Sequence, residues 1–469
     1  MTHKQFTFRT TKPEQKQHCS IVTIHNYYLQ FSNDLNYTFS EYKGNSIHLL
    51  GNLFDYIRTE VSNQELLDTL ANQQSKEDFF KMLNTFYGEY VLIHATQESL
   101  IVLNDCCAQK EVYYSEDYSD LASELHFISS TWEHPKNHAY YNSKLYDQKK
   151  LFIGTTTPDP SLNHLSPNHY LDLLNKKTVR FFPFSKITPQ SIDDVAKKAA
   201  LMLKGYIKAI ANRHPIILPV TGGFDSRLLF LASLPTECDY FVFQHDNMNE
   251  SHYDIQIAKK LTHLFNKKLH VIEDGATDIT SNKNNSFKTD YQEFIPGKVI
   301  INGNISEVAR NFFNYIKPVS GIKLAVLNGF STNNFVTNQY DQWLTKNQGQ
   351  FETFGYNMLD MFYWEEKMSN WAARSKTENS KEGLEVMSPF NSRALLELLL
   401  STKRKDRDKY TSKLYQKIIE NLVTNHKTIN GIPTNPDFER KKALFLKKIG
   451  LFQFYDEILL KARIMKRKI

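Results

Sequence analysis

The chain is poor in cysteine. Cys19, Cys106, Cys107 and Cys238 are spread over 469 positions. None has metal-ligand spacing, and the adjacent Cys106-Cys107 pair does not suit a disulfide framework. No cysteine-held zinc site or stapled scaffold is therefore expected, and a reducing cytoplasm fits. Long hydrophobic runs are also missing. The densest, Leu395-Leu396-Glu397-Leu398-Leu399-Leu400, is short and interrupted, so no membrane span is expected. Met1-Thr2-His3-Lys4-Gln5 leads into a polar stretch rather than the apolar core of a signal peptide. Internal repeats and low-complexity tracts are absent. Neither charge sign is in large excess, with 57 Lys and Arg against 51 Asp and Glu, a net +6. Part of the surplus lies near the C-terminus, at Arg440-Lys441-Lys442, Lys447-Lys448, Lys461, Arg463, Lys466, Arg467 and Lys468. There a solvated helix face is expected over a nucleic-acid contact.

What remains is an ordinary globular composition, 41% hydrophobic and 23% charged, in a chain long enough for two or three domains. Up to about residue 184, short alternating and aromatic segments are separated by turn signals. Ser46-Ile47-His48-Leu49-Leu50-Gly51, Glu89-Tyr90-Val91-Leu92-Ile93, Leu100-Ile101-Val102-Leu103, Val112-Tyr113-Tyr114 and His126-Phe127-Ile128-Ser129 read as strands of an antiparallel domain. The first strand is read at Ser20-Ile21-Val22-Thr23-Ile24, and a helix is read near residues 75–87. Pro183 and Pro189 bracket a linker. Beyond it, helical spacing over residues 191–211 is followed by alternating apolar runs and helices. Strands are read at Ile216-Ile217-Leu218-Pro219-Val220, Asp239-Tyr240-Phe241-Val242-Phe243, Lys268-Leu269-His270-Val271-Ile272 and Val299-Ile300-Ile301, with a helix at 253–265. This βαβαβ pattern predicts a parallel sheet with ligands at its strand ends, then a mostly helical remainder.

Thr221-Gly222-Gly223-Phe224-Asp225-Ser226-Arg227 joins the first of these strands to a helix. Such a turn aims backbone N–H groups at an anion at the positive end of the helix dipole, and glycines let a phosphate approach. Asp225 offers a carboxylate to a magnesium ion, and Thr221 and Ser226 offer hydroxyls. The string resembles the Ser-Gly-Gly-x-Asp-Ser pyrophosphate loop of ATP pyrophosphatases such as asparagine synthetase. Two further segments resemble the asparagine synthetase-like family in order and spacing. Gly303-Asn304-Ile305-Ser306-Glu307-Val308-Ala309-Arg310 is similar to its Gly-Glu-Gly-Ala-Asp-Glu segment. Glu385 with Ser388-Pro389-Phe390-Asn391-Ser392-Arg393 is similar to its Glu-x-Arg-x-Pro-Phe-Leu-Asp segment. In the first part, Gly88-Glu89-Tyr90, Asn104-Asp105 with Val112-Tyr113-Tyr114, and Ala122-Ser123-Glu124 resemble the family's glutaminase domain.

The resemblance implies an α/β protein. Residues 1–185 would form a degenerate class II glutamine amidotransferase-like domain, an Ntn-hydrolase-like α+β sandwich. Residues 190–469 would form a parallel-sheet PP-loop domain of the adenine nucleotide α-hydrolase type with a helical C-terminal part. It also implies an AMP-forming carbon–nitrogen ligase using ATP and Mg²⁺. ATP would contact Thr221, Gly222, Gly223, Phe224, Asp225 and Ser226, with the nucleoside near Val242 and Phe243. The metal would lie on Asp225 and Glu307, and Glu307 and Lys413 (or Lys409) would serve catalysis. The substrates would be a small or sugar-linked carboxylate and an amine or ammonia, with amidation of a surface-polysaccharide sugar acid as one possibility.

Departures from the family narrow this. No Cys follows Met1, Thr2 is not the family's nucleophile, Cys19 is internal, and Leu50-Gly51-Asn52 lacks the family's Asn-Gly-Glu donor, so glutaminase activity is not expected. Ser306-Glu307 replaces Asp-Glu; aligning Gly329-Phe330-Ser331-Thr332-Asn333-Asn334 there instead would lose both carboxylates. Met387 replaces Arg and Asn391 replaces Asp. Asp254 reads as a first-turn helix acid, Arg227 as a phosphate partner or a surface residue, Arg310 as a helical-spacing partner of Glu307, and Trp364 and Trp371 as core. Two rival readings stand: a nucleotide-binding pseudoenzyme with a regulatory or scaffolding role, and an RNA-modifying ATP pyrophosphatase that would use the basic tail.

Overall fold

The structure is a computed structural model and describes residues 4–129, 140, 151–245, 248–274, 294–313, 319–381, 383–434 and 438–467. Two antiparallel sheets occupy the first part. One holds β1 (Phe6–Arg9), β2 (Cys19–Ile24), β3 (Tyr27–Ser32), β8 (Tyr113–Ser115), β9 (Asp120–Ala122) and β10 (Leu162–His164), in the order β10-β8-β9-β1-β3-β2. The other holds β4 (Tyr37–Tyr42), β5 (Asn45–Phe54), β6 (Tyr87–Thr96), β7 (Ser99–Asn104), β11 (His169–Asp172) and β12 (Lys177–Arg180), in the order β12-β11-β7-β6-β5-β4. Strand periodicity sorts the core. Val91, Ile93, Leu100 and Val102 meet Phe8 and Leu29 between the sheets. Their neighbours Leu92, Ile101 and Leu103 face the other way, onto the helices Asn63–Ala71 and Lys76–Thr85. Those helices start where Ser62 and Ser75 cap them, Ser62 in a capping box with Glu65.

Two sequence expectations change here. The chain enters the first sheet at Phe6–Arg9, in its middle and paired on both sides, before the strand at Cys19–Ile24. Four residues of alternation are too few to stand out, and β3 and β9 supply the missing pairing. His126-Phe127-Ile128-Ser129 is no strand, because the N–H groups of Ile128 and Ser129 both turn back to Leu125 O at 2.9 Å.

The second part is built on a parallel sheet of β13 (Ile216–Pro219), β14 (Asp239–His245), β15 (Leu269–Asp274), β16 (Val299–Ile301) and β17 (Glu385–Met387), ordered β15-β14-β13-β16-β17. Counted by chain order, its strands run 3-2-1-4-5. The chain steps outward from β13 in one direction, then returns to β13's other edge with β16. At such a reversal the connections leave β13 and β16 on opposite faces, opening a crevice at their carboxyl ends.

A buried polar clasp joins the two parts. Asp105 accepts the N–H groups of Gln109 and Lys110 at 2.8 Å and of Cys107 at 3.2 Å, and the Asn391 amide at 3.0 Å. Asn391 in turn accepts from Cys107 N at 2.9 Å and donates to Gly88 O at 3.0 Å. Arg393 donates to Asn168 Oδ1 and Asp105 O, while Arg180 forms a buried ion pair with Glu365. Trp364 is core, as read, and donates to Cys106 O at 2.9 Å. No helix among the described residues is long and apolar enough to cross a membrane.

Candidate functional site

Val220 directly follows β13, and its N–H bonds Phe241 O at 2.8 Å, so the turn that follows stands at the crevice. Thr221 N donates to Ser226 Oγ at 2.7 Å, folding the turn over the first turn of the helix Phe224–Ser233. That helix is capped by Gly223 with no side-chain acceptor, unlike the serine-capped helices elsewhere, so its amino end keeps open N–H groups. Gly222 is tightly enclosed: a Cβ there would lie 3.0 Å from Asp254 Oδ1 and 3.1 Å from Ile257 Cδ1, so those side chains would have to give way by a few tenths of an ångström. At Gly223 a Cβ would meet nothing nearer than 3.7 Å. The chain itself gives no steric reason for that glycine, whereas an approaching phosphate would.

Asp254, read as a first-turn acid, has a second task. Its carboxylate accepts Gly222 N–H at 2.6 Å, fixing the loop. Arg227 departs from both readings made of it. It is fully buried and donates to the carbonyls of Ile429, Ile432 and Pro433 at 2.9 to 3.2 Å, away from the loop mouth. Its burial lowers its pKa to about 10.

Across the crevice, β16 ends in Asn302-Gly303. Gly303 lies so close that a Cβ would sit 2.7 Å from Asp225 Cβ. Ile305 then adopts φ +78°, a conformation that costs a β-branched residue about 1–3 kcal/mol and that tends to persist at functional sites. The short 3₁₀ turn Ser306–Arg310 follows, and the kink brings Glu307 beside Asp225. Burial first, then the nearby Asp225 charge, push the Glu307 carboxyl up to about 7. Arg310 bonds Asp225 Oδ2 at 3.0 Å, rather than Glu307, and is held by Lys409 O and Ser412 Oγ. The Tyr415 hydroxyl donates to Ser306 O at 2.8 Å and so braces the turn. Four buried polar atoms here lack any partner: Asp225 Oδ1, Glu307 Oε2, Ser306 Oγ and Arg310 Nε. Two converging carboxylates with spare buried oxygens fit a magnesium ion that takes its remaining ligands from phosphate and water. Among the described residues no group of three or more His, Cys, Asp or Glu forms a metal cluster by itself.

The other sequence-derived candidates are dispersed. Val242 is buried in the core, and Phe243 is half-buried with its ring against Phe241 and His245 of the same strand, β14. Lys413 is 56% exposed and paired with Asp406, while Lys409 lies over the rings of Phe312 and Tyr410. The cation at the carboxylates is therefore Arg310. Asn333 caps the helix Asn334–Phe354 and Gly329 ends the helix Gly321–Asn328, which gives the rival Gly329 to Asn334 alignment a capping role. Trp371 packs against the core.

In the first part the described cysteines are enclosed. Cys19 is buried on the edge strand β2, and burial, with Cys106 adjoining, drives the Cys107 thiol well up. Burial raises Cys238 to about 12. Asn52 Oδ1 is taken by Asn36 at 2.7 Å and Asn63 at 3.3 Å. Thr2 lies outside the described residues.

The chain matches no family model, and its sequence matches no curated protein. Among solved structures, it is similar to the allosteric regulatory enzyme of purine biosynthesis at 10% identity, covering 53% of this chain and 61% of that one, with a TM-score of 0.23. It is also similar to glutamine phosphoribosylpyrophosphate amidotransferase from B. subtilis complexed with ADP and GMP, at 9% identity, covering 66% and 71%, with a TM-score of 0.23. The chain thus spans less than two thirds of the first of these, and overlap at this level does not establish a shared fold.

Proposed function

We propose that this protein is an ATP-dependent amide-forming ligase that activates a carboxylate as an acyl-adenylate. One observation carries the reading: at the strand-order reversal of the parallel sheet, a helix amino end with no side-chain cap carries Asp225, which meets Glu307, and each carboxylate keeps an orphaned buried oxygen. The β- and γ-phosphates of ATP would lie on the 221–226 turn, held by the N–H groups of Phe224, Asp225 and Ser226 at the helix start, since those of Thr221, Gly222 and Gly223 are bonded within the protein, and by the hydroxyls of Thr221 and Ser226. Asp225 and Glu307 would hold magnesium, which offsets negative charge on the pyrophosphate. Arg310, anchored by Asp225, adds a fixed positive charge beside them. The substrate carboxylate oxygen attacks the α-phosphorus, the bond to the β-phosphate oxygen breaks, and pyrophosphate departs. An amine nitrogen then attacks the acyl carbon, AMP leaves with the bonding electrons, and the amine gives up its proton. Positioning and fixed charge suffice for the first step. Amidation of a sugar acid remains within this substrate class.

The pseudoenzyme reading draws on two other contacts. Arg310 occupies one oxygen of Asp225, and Asp254 occupies the Gly222 N–H. Exchange of labelled pyrophosphate into ATP, across a panel of carboxylic acids, separates the two. Exchange with one acid supports the ligase; ATP binding with no exchange for any acid supports the pseudoenzyme. If ATP does not bind at all, both fail.

A further inference from the structure

The helices Phe438–Lys448 and Phe452–Lys466 form a hairpin. Its inner side is docked. Ala443 and Leu460 are buried, Phe452 sets its ring edge-on to Tyr410, and Lys447 pairs with Asp408. At the far end, Arg467 O accepts the N–H and hydroxyl of Thr332 at 3.1 and 3.0 Å.

The outer side is unlike the rest of the described surface. Of fifteen large hydrophobic side chains that stand exposed, six are in this hairpin: Phe445, Ile449, Leu451, Phe454, Ile458 and Met465. Isolated exposed apolar residues are normal, but a gathering of them marks a contact surface. At 3.6 residues per turn, Phe454, Ile458 and Met465 fall within about 40° of one another on their helix. Phe445 lies in the last turn of the other helix, and the corner Ile449-Gly450-Leu451, which begins just past that helix's end, links the two stripes.

Charge identifies the occupant. Residues 438–467 carry nine Lys and Arg against three Asp and Glu, a surplus equal to the net +6 of the whole chain. The remainder is neutral, so the basic character of this protein is concentrated on this hairpin. Lys441, Lys448, Lys461 and Lys466 are exposed and interleave with the apolar stripe. Apolar side chains flanked by lysines on a helix pair suit an interface that is greasy inside and anionic at its rim.

We propose that the hairpin docks the protein on an anionic membrane surface, with the stripe at the headgroup–acyl boundary and the lysines on lipid phosphates. A second copy of the chain fits less well, because a two-fold contact would set each basic patch against itself. Nucleic acid fits less well too, since four of the six, Ile449, Leu451, Ile458 and Met465, offer nothing to a phosphate backbone and cannot stack on bases as Phe445 and Phe454 could.

The inference does not depend on the ATP reading. The full chain would be sedimented with vesicles of phosphatidylcholine alone and of phosphatidylcholine mixed with phosphatidylglycerol. Binding is expected to the mixed vesicles only and should weaken as salt rises. The variant Phe454→Ser/Ile458→Ser should reduce it at least about tenfold, and Lys441→Glu and Lys461→Glu about fivefold per position, with unchanged circular dichroism and melting temperature. No binding to the mixed vesicles, or binding that these variants leave intact, overturns the proposal. So does a dimer in sedimentation velocity that the same variants dissolve, or tight RNA binding without vesicle binding.

Discussion

Two clusters of buried polar groups in this molecule differ in one respect. In the clasp between the two parts, Asp105, Asn391 and Arg393 share dense hydrogen bonding, with Asp105 alone accepting at least four. At the crevice, Asp225, Glu307, Ser306 and Arg310 each keep a buried atom with no partner. A satisfied network specifies structure. Orphaned polar atoms beside a backbone outlier cost stability, and persist where a ligand completes them. Both clusters come from segments that resemble one family's motifs, so the resemblance alone could not tell the satisfied clasp from the unsatisfied crevice.

The sharpest way to break this comparison is a pair of single substitutions. Asp105→Ala leaves several buried N–H groups unbonded and should destabilise the chain by about 3 kcal/mol or more in denaturant titration. Asp225→Asn should leave stability within about 1 kcal/mol while cutting pyrophosphate exchange on the order of a hundredfold or more. Equal stability losses, with exchange retained in Asp225→Asn, would remove the distinction. Next, chelating divalent cations should abolish exchange and leave the melting temperature of the nucleotide-free protein unchanged. A chelator-insensitive exchange would take the metal away from Asp225 and Glu307.

Two buried glutamates extend the comparison to pH. Burial, with Asp225 beside it, raises Glu307 to about 7, and burial, with Glu365 beside it, raises Glu366 to about 8. Each folded value lies above the unfolded one, so the folded state binds the extra proton and each residue lowers stability as pH climbs past about 4.5. The loss grows until about pH 7 for Glu307 and about pH 8 for Glu366. Glu307→Gln and Glu366→Gln should therefore each stabilise at neutral pH, by on the order of 2–3 kcal/mol, and by nothing below pH 4. Only Glu307→Gln should lose exchange activity. An activity loss confined to Glu366→Gln would move the site. The smallest effect is expected at Lys413. Because it is exposed and paired with Asp406, Lys413→Ala should change exchange less than about threefold, whereas Arg310→Ala should lower it on the order of a hundredfold.

Four strands of the parallel sheet were legible because they are compact apolar runs bounded by turn signals, whereas β17, only Glu385–Met387, falls in the stretch read as helical; the helix Ile192–Ala211 was legible because Ser191 caps a long amphipathic repeat. The turn at Thr221-Gly222-Gly223 was legible as a strand-to-helix connection because two glycines separate an apolar run from a helical one. The Arg310 partner was misread, since helical spacing pointed to Glu307 while a 3₁₀ turn redirects the guanidinium to Asp225, 85 residues away in sequence. The clasp was not legible at all: Asp105 and Asn391 are 286 positions apart, and no local pattern ties them.

By itself, the sequence determined what local physics controls: strand and helix runs, the turn between β13 and its helix, the missing long apolar segment and the near-neutral charge. The tertiary structure alone decided which carboxylates meet, that Arg227 is buried, that the Asn391 segment binds the first part, and that the C-terminal helices leave an apolar stripe outside. Each of these depends on contacts between residues far apart in the chain, and such contacts are settled only when the burial of every element is satisfied together.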